Sequence, residues 1–578
     1  MNLIKYLKNI FAKLYLSLKR FPLTILLSAS TYALLIAISE INPSTDTLNK
    51  IALVLALGIP LSLCINLFFE KREEKSFYKL LVCYLSGGLL LILYYFLFLN
   101  NIGMVSTTRY TALSLSLYLG FLFIPYLIKK DGFEMYIIII FTGFFSTLIY
   151  SIVLYSGLSA ILFTIDKLLG ITILGKVYYY TGLFVVFIFA LSYFLAGIPR
   201  KIEKINPISY PKLLRILLLY IVMPLLTAYT IILYIYFGKI MLTWHWPMGI
   251  VSNLVLWYSV IVAIFLFFIT PISPKVSFAN KFLNFAPKII LPLLIMMFIS
   301  IGIRINAYGV TENRYFVVIL ALWVFFIMLY YSFTKKLRNI IVPITLSIIM
   351  LISVFGPFSS YSISIMSQNN RFQKILIANS MLKDGILQSS TNISTKDKAA
   401  IISILGYFNN NHSLKDINYL PKNFKLEDMN KVLGFPFESP SYESQDGFFN
   451  FMRNQSDNNI DIKGYDYLID MRNINSTNKN SNTALNISYN YESATVKINY
   501  NNKEVYKSNL NSFAKTLTNK YGTLPKSDII PSEEMMLTEE NQNIKIKFII
   551  LNISGSKNQT SHKITTNGID FYLLVKIK

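Results

Sequence analysis

Eleven stretches of this chain are long and apolar enough to be read as membrane-spanning helices, at about 21–39, 51–69, 78–99, 110–128, 136–165, 177–198, 213–236, 248–269, 289–303, 314–333 and 340–358. A helix needs roughly 20 mostly apolar residues to cross the ~30 Å hydrocarbon layer of a bilayer. The fifth stretch exceeds one upright helix. It either tilts or breaks near Gly157, with Leu168–Leu174 lying in the interface. Composition agrees with a membrane assignment, because only 15% of the 578 residues are charged, against about 25% in soluble proteins. A plain cytosolic enzyme is thereby excluded.

Short cytoplasmic loops are enriched in Lys and Arg. With the N-terminus inside, the inner segments 1–20, 70–77, 129–135, 199–212, 270–288 and 334–339 carry 20 basic residues, whereas the five outer loops carry seven, counting Arg314 at the edge of its span. Eleven spans then place the C-terminus outside, giving a multi-pass plasma (inner) membrane protein with a cytoplasmic N-terminus. Charge also divides the chain near Phe358. Residues 1–359 hold 29 basic and 10 acidic side chains, residues 360–578 hold 25 and 20. The overall excess of +24 is therefore read as attraction to anionic lipid, with no nucleic-acid partner.

The expected fold class is an α-helical polytopic membrane domain of about eleven transmembrane helices, followed by a smaller α+β, β-rich extracytoplasmic domain. Residues 1–20 form a basic segment in which Leu3, Ile4, Leu7, Phe11, Leu14 and Leu18 recur at helical spacing. This pattern suits an amphipathic helix on the inner leaflet, or a basic flank that orients the first span. Residues 21–358 are the multi-span domain and 359–430 a helical connector. Within the connector, helices are expected at about 368–388 and from Ser394, where Ser-Thr-Lys-Asp resembles a capping box. Residues 431–578 are the soluble domain, with strands at 484–490, 494–500, 544–551 and 570–577 and a helix at 509–521.

Chemistry-bearing motifs are few. The three histidines, His245, His412 and His562, have no partner at metal-ligand spacing, so no metal and no cofactor is expected. Gly170–Lys176 spells G-x-x-x-x-G-K but continues with Val177 in an apolar outer loop, and is set aside as a phosphate loop. The spans carry essentially no charge at their centres, which argues against proton coupling. Polar side chains concentrate instead at the outer face, around Trp244 and His245 and in the segment Arg304–Tyr315. One reading is an aromatic belt with interfacial anchors. The other is a pocket formed by Arg304, Tyr308, Glu312, Arg314, Tyr315, Trp244 and His245. In it the arginines would pair with phosphate or carboxylate, and Glu312 would pair with one of them. No catalytic residue is assigned.

The Arg304–Tyr315 segment, with Leu320-Ala321-Leu322-Trp323 after it, resembles the bacterial family known as domain of unknown function 4153. So do Arg20-Phe21-Pro22, the run from Phe194 to Pro199, and Phe355-Gly356-Pro357-Phe358 with Ser360. The resemblance covers roughly residues 15–410. It implies a polytopic inner-membrane protein with a soluble C-terminal part, and supplies no reaction, cofactor or catalytic residue.

Three functions are compatible with these features. The first is a cell-envelope scaffold or sensor whose partners are the lipid bilayer and an envelope glycan, lipid or protein. The second is a transporter or flippase for an anionic or lipid-linked solute. The third is an outer-face glycan or lipid transferase with Glu312 as base. The topology is open to direct measurement: reporter fusions at residue 205 should report cytoplasm and fusions at 365 the outside. The same compartment at both positions contradicts the odd number of spans.

Overall fold

The computed structural model describes residues 15–41, 46–72, 76–99, 103–127, 132–199, 210–244, 250–437, 446–454, 460–472, 485–490, 493–522, 529–558 and 564–578. The chain divides into two compact units, Met1–Gln388 with Phe408–Asn423, and Ser389–Tyr407 with Phe424–Lys578. Of the basic N-terminal segment only residues 15–20 are described, and they are helical with Leu18 half-exposed. Leu3 to Leu14 lie outside the described residues.

The first unit is helical. Nine of its helices are long and apolar enough to cross a membrane, among the described residues. They are α1 (Pro22–Glu40), α2 (Asp46–Arg72), α3 (Phe77–Phe98), α5 (Phe133–Leu169), α6 (Gly175–Ala196), α7 (Lys212–Thr243), α8 (Ile250–Ile269), α9 (Ser277–Tyr308) and α10 (Glu312–Phe333). The other two apolar stretches are also helices, α4 (Met104–Phe123) and α11 (Ile341–Val354). At 14 residues, α11 is about 21 Å long, short of the ~30 Å hydrocarbon layer. It packs on α4, where the buried hydroxyls of Ser116 and Ser347 meet at 2.6 Å. The fifth stretch is one continuous helix of 37 residues, unbroken at Gly157. Leu168 and Leu169 complete it, and residues 170–174 are non-helical.

Hydrocarbon offers backbone groups no water, so a carbonyl released from a helical ladder must find a side chain. Helix α6 widens to a π turn at Val185–Ala190, and there Ser28 of α1 donates to the Phe187 carbonyl at 2.6 Å. Helix α9 contains Pro287 and Pro292, and the Tyr234 hydroxyl of α7 donates to the Ile289 carbonyl at 2.6 Å. Thr24 and Ser62 share a buried hydroxyl pair between α1 and α2. The apolar core runs through Tyr126, Phe133, Tyr136, Leu266, Leu294, Val324 and Met328. Large apolar side chains such as Leu85, Val153, Ile235 and Phe326 remain exposed on the outside, as the lipid-facing surface of a bundle requires.

The helices alternate in direction, which collects the polar contacts at two ends. At the first end, Arg20 grips both Glu70 carboxylate oxygens at 2.9 and 3.0 Å, and donates to the carbonyls of Ile198 and Pro199 at 2.5 and 3.1 Å. Asn339 donates to Glu134 at 3.0 Å and accepts from the Tyr331 hydroxyl at the same end. At the second end, Lys176 and Tyr180 both bond Glu40. The lysine of the rejected phosphate-loop match is therefore half of an ion pair.

Beyond α11 the chain turns at Gly356 and enters α12 (Ser360–Ala378), capped by Ser359. The helix expected at 368–388 thus starts and stops earlier. Residues 379–388 instead make a small hairpin, β1 (Leu382–Lys383) and β2 (Ile386–Leu387). Asp384 and Gly385 both have positive φ, the Asp-Gly geometry that tight hairpins favour. Helix α13 (Thr395–Asn411) starts where expected, with the Ser394 hydroxyl accepting the Asp397 N–H at 3.1 Å.

The second unit is β-rich. Strands β10 (Ile544–Asn558) and β11 (Ile564–Ile577) form its spine. They are flanked by β3 (Asp446–Arg453), β4 (Tyr467–Asp470), β8 (Ile529–Ile530) and β9 (Met536–Glu540) in an order β4-β11-β10-β3-β8, with β9 also on β10. A three-stranded meander, β5 (Leu485–Asn490), β6 (Thr495–Tyr500) and β7 (Lys503–Asn509), and the helix Asn511–Tyr521 share one core with this sheet. Phe449, Phe451, Val496, Ile498, Phe548 and Phe571 are fully buried there. The four strands and the helix anticipated from alternation are all present. β3, β4, β7, β8 and β9 are additional, and their residues form shorter runs or alternate less cleanly.

Arg20 joins α1, α2 and the end of α6, so its removal should weaken the whole first end. Arg20→Met leaves the Glu70 carboxylate and two carbonyls without their donor. We expect a loss of about 3 kcal/mol, read as a lower unfolding temperature in detergent; an unchanged temperature contradicts the assignment.

Candidate functional site

Helices α9 and α10 are joined at the second end by three residues, Gly309–Thr311. Gly309 has φ 71°, and a Cβ there would lie 2.8 Å from the Gln368 Nε2 atom. Only glycine allows that approach. The Gln368 amide, buried on α12, donates to the carbonyls of Tyr308 at 3.0 Å and Val310 at 2.9 Å. Ser367, one residue earlier, accepts the Val310 N–H at 2.9 Å. Arg314 folds back from α10, donating through Nη1 to the carbonyls of Gly309 at 2.6 Å and Tyr308 at 3.2 Å. Its guanidinium stands 5.6 Å from the centre of the Tyr308 ring. The turn is therefore held from both sides, by α12 and by α10.

Glu312 opens α10, where a carboxylate is favoured by the helix N-terminus. Its described partner is His412, not one of the neighbouring arginines that the sequence suggested. His412 Nε2 lies 2.6 Å from Glu312 Oε1, and the two side chains are only 5% and 4% exposed. The Tyr361 and Phe408 rings pack edge-on or tilted against the imidazole. The segment that carries His412 is fixed by Asn369 of α12. That buried amide donates to the Asp416 carbonyl and accepts the Asn418 N–H, each at 2.8 Å. One face of α12 thus holds the loop through Ser367 and Gln368, while Asn369 holds the segment that returns to Glu312.

Three guanidiniums surround this turn. Arg304 lies one helical turn before Tyr308, and Arg371 follows Ser367 and Gln368 by one turn of α12. Arg314 feels the like charges of both. Burial holds the Arg371 guanidinium below its ordinary value. Among the described residues, no carboxylate forms an ion pair with any of the three.

Of the residues singled out from sequence, Arg304, Tyr308, Glu312 and Arg314 meet here. Tyr315 donates to the Phe358 carbonyl, tying α10 to the Phe355–Phe358 turn. Trp244 is 75% exposed beyond the end of α7 and makes no described contact with this cluster. His245 lies outside the described residues. Sequence reading missed Gln368, Asn369 and Arg371, whose run of polar residues directly after the last span was the available signal. His412 had no local signal, because its partner is 100 residues away. Arg109 was counted only as a loop charge. It sits among the Phe98, Phe355 and Tyr361 rings, 5.3–5.9 Å from their centres, and donates to the Val354 carbonyl.

These features define a polytopic α-helical membrane protein whose last spans are fastened by the helices that follow them. The chain belongs to the family described as domain of unknown function DUF4153, whose model matches residues 24–388. The motifs that carried the resemblance meet in two places. Arg20-Phe21-Pro22 and Phe194–Pro199 join at the first end, and Arg304–Tyr315 and Phe355–Ser360 at the second. The chain is also similar to the uncharacterized protein PM1469 of Pasteurella multocida (strain Pm70), 25% identical over 218 residues. That match spans 37% of each chain. No solved structure matches. His412 lies beyond the family region, whereas Glu312 lies within it.

Because Glu312 and His412 bury each other, removing either should cost about 3–5 kcal/mol, and removing both should cost little more than one. A double-mutant cycle with Glu312→Ala and His412→Ala on the full chain should give a coupling of about 3 kcal/mol, close to the cost of one removal. Additive losses contradict a direct pair.

Proposed function

We propose that the protein is a cell-envelope scaffold or sensor of the plasma membrane, with its second end and C-terminal unit facing outward. The single observation that carries this reading is the buried Glu312–His412 pair. It fastens the Gly309–Thr311 turn to residues 412–418, which lie between segments of the C-terminal unit in the chain. A shift in the turn would strain this pair and, through α13, reach the C-terminal unit. The outward orientation rests on the basic inner loops, since Lys and Arg favour the cytoplasmic side.

The same pair weighs against the transferase alternative. A general base must reach the proton it removes, and Glu312 is buried against an imidazole. The transporter alternative gains no mid-span ionisable pair from this geometry.

Full-length Glu312→Ala and His412→Ala variants test the reading in a deletion strain. Both should reach the membrane at reduced but measurable abundance and fail to restore the envelope phenotype, even when expression is raised to the wild-type level. Restoration in proportion to abundance would reduce the pair to a structural brace. Substrate-dependent flux in proteoliposomes would favour the transporter alternative instead.

A further inference from the structure

Among the described residues, the three arginines at the second end have no acidic partner, and that has a chemical consequence. Arg304 and Tyr308 lie on one face of the last turns of α9, since residues four apart are neighbours on a helix. Arg371 lies on the face of α12 that presents Ser367 and Gln368 to the turn. Arg314 is anchored to the turn's own carbonyls through Nη1, and among the described residues the Nε and Nη2 donors of its fork have no hydrogen-bond partner. Tyr308 stands beside both Arg314 and Arg371. The nearby carboxylate, Glu312, is committed to His412.

Arg304 is exposed, whereas Arg314 and Arg371 are half-buried, and holding like charges together around such a half-buried pair is unfavourable unless something of opposite sign enters. An ordinary surface would disperse them or intersperse acids. Here Gly309, Gln368, Ser367 and the Arg314 backbone contacts fix the positions from which the three charges project. A single carboxylate would balance one guanidinium. A phosphate group offers more charge and several acceptor oxygens, and the planar guanidinium fork matches it in a bidentate manner.

We propose that Arg304, Arg314 and Arg371, with Tyr308, form a binding site for a phosphate group at the second end of the membrane unit. The group belongs either to a phospholipid headgroup or to a free phosphate in solution; the recognition chemistry is the same. The site stands whether or not residues 412–418 transmit a signal, because its occupancy is read directly as binding.

The test uses the full-length protein in phosphatidylcholine nanodiscs. In one arm inorganic phosphate is titrated at constant ionic strength. In the other, phosphatidylglycerol replaces up to a fifth of the lipid. The readout is the rise in unfolding temperature, because a ligand that binds only the folded state stabilises it by mass action. Saturable stabilisation in at least one arm is expected, and the responding arm identifies the source. Arg371→Gln and Arg304→Gln should raise the half-saturating concentration at least tenfold; neither side chain holds the turn, so folding is preserved. Lys374→Gln, which removes an exposed charge from the same helix, should change it less than twofold. No saturable stabilisation in either arm overturns the proposal. So does a Lys374→Gln loss equal to the arginine losses, which would mean diffuse surface charge.

Discussion

Removing polar groups from water without leaving them unpaired is the condition on which this architecture depends. In hydrocarbon an unmet carbonyl or hydroxyl costs several kcal/mol. At its irregular turns and helix contacts the bundle answers with specific cross-helix partners, although among the described residues the buried hydroxyls of Tyr94, Tyr136, Ser151, Ser159 and Ser332 have none. Ser28 meets the π turn of α6, Tyr234 meets the proline-interrupted α9, and Ser116 meets Ser347. These contacts fix which helices are neighbours. The apolar side chains around them then fill the space with no strong preference of their own, since lipid is as apolar as a leucine.

Charges obey the same condition more strictly and are therefore confined to the two ends. Arg20 is satisfied at the first end by one carboxylate and two carbonyls. Arg109, at the second end, rests among three aromatic rings. Glu312 and His412 satisfy each other in a nearly dry place. Arg314 is met by two carbonyls and the Tyr308 ring, whereas Arg304 and Arg371 have no ion-pair partner among the described residues; the proposed anionic ligand would complete the cluster.

The helices of the membrane unit were legible because a span needs a long apolar run, and such a run is a local property. Ser394 was legible as a cap for the same reason. What failed to show was whatever depended on distance in sequence. One local turn was also hidden. The end of α12 at Ala378 is closed by Ser380, whose φ is 55°, with the Met381 N–H returning to the Leu376 carbonyl at 2.8 Å, and a serine gives no sign of that turn in sequence. The fifth stretch left open a tilt or a break near Gly157, and the helix runs through it unbroken. At the site, Arg304, Tyr308 and Arg314 could be grouped because they share one short segment. The partner of Glu312 could not be found, since an arginine two residues away looked the better candidate than a histidine 100 residues on.

The central claim is that Glu312 holds residues 408–418 in place through His412. Hydrogen–deuterium exchange of the full-length protein in nanodiscs, followed by mass spectrometry, measures this directly. In the wild type, amides of this segment should be protected. In Glu312→Ala their exchange should accelerate at least tenfold, while amides of the β10–β11 hairpin keep their wild-type rates. Unchanged protection of residues 408–418 in the variant would contradict the account.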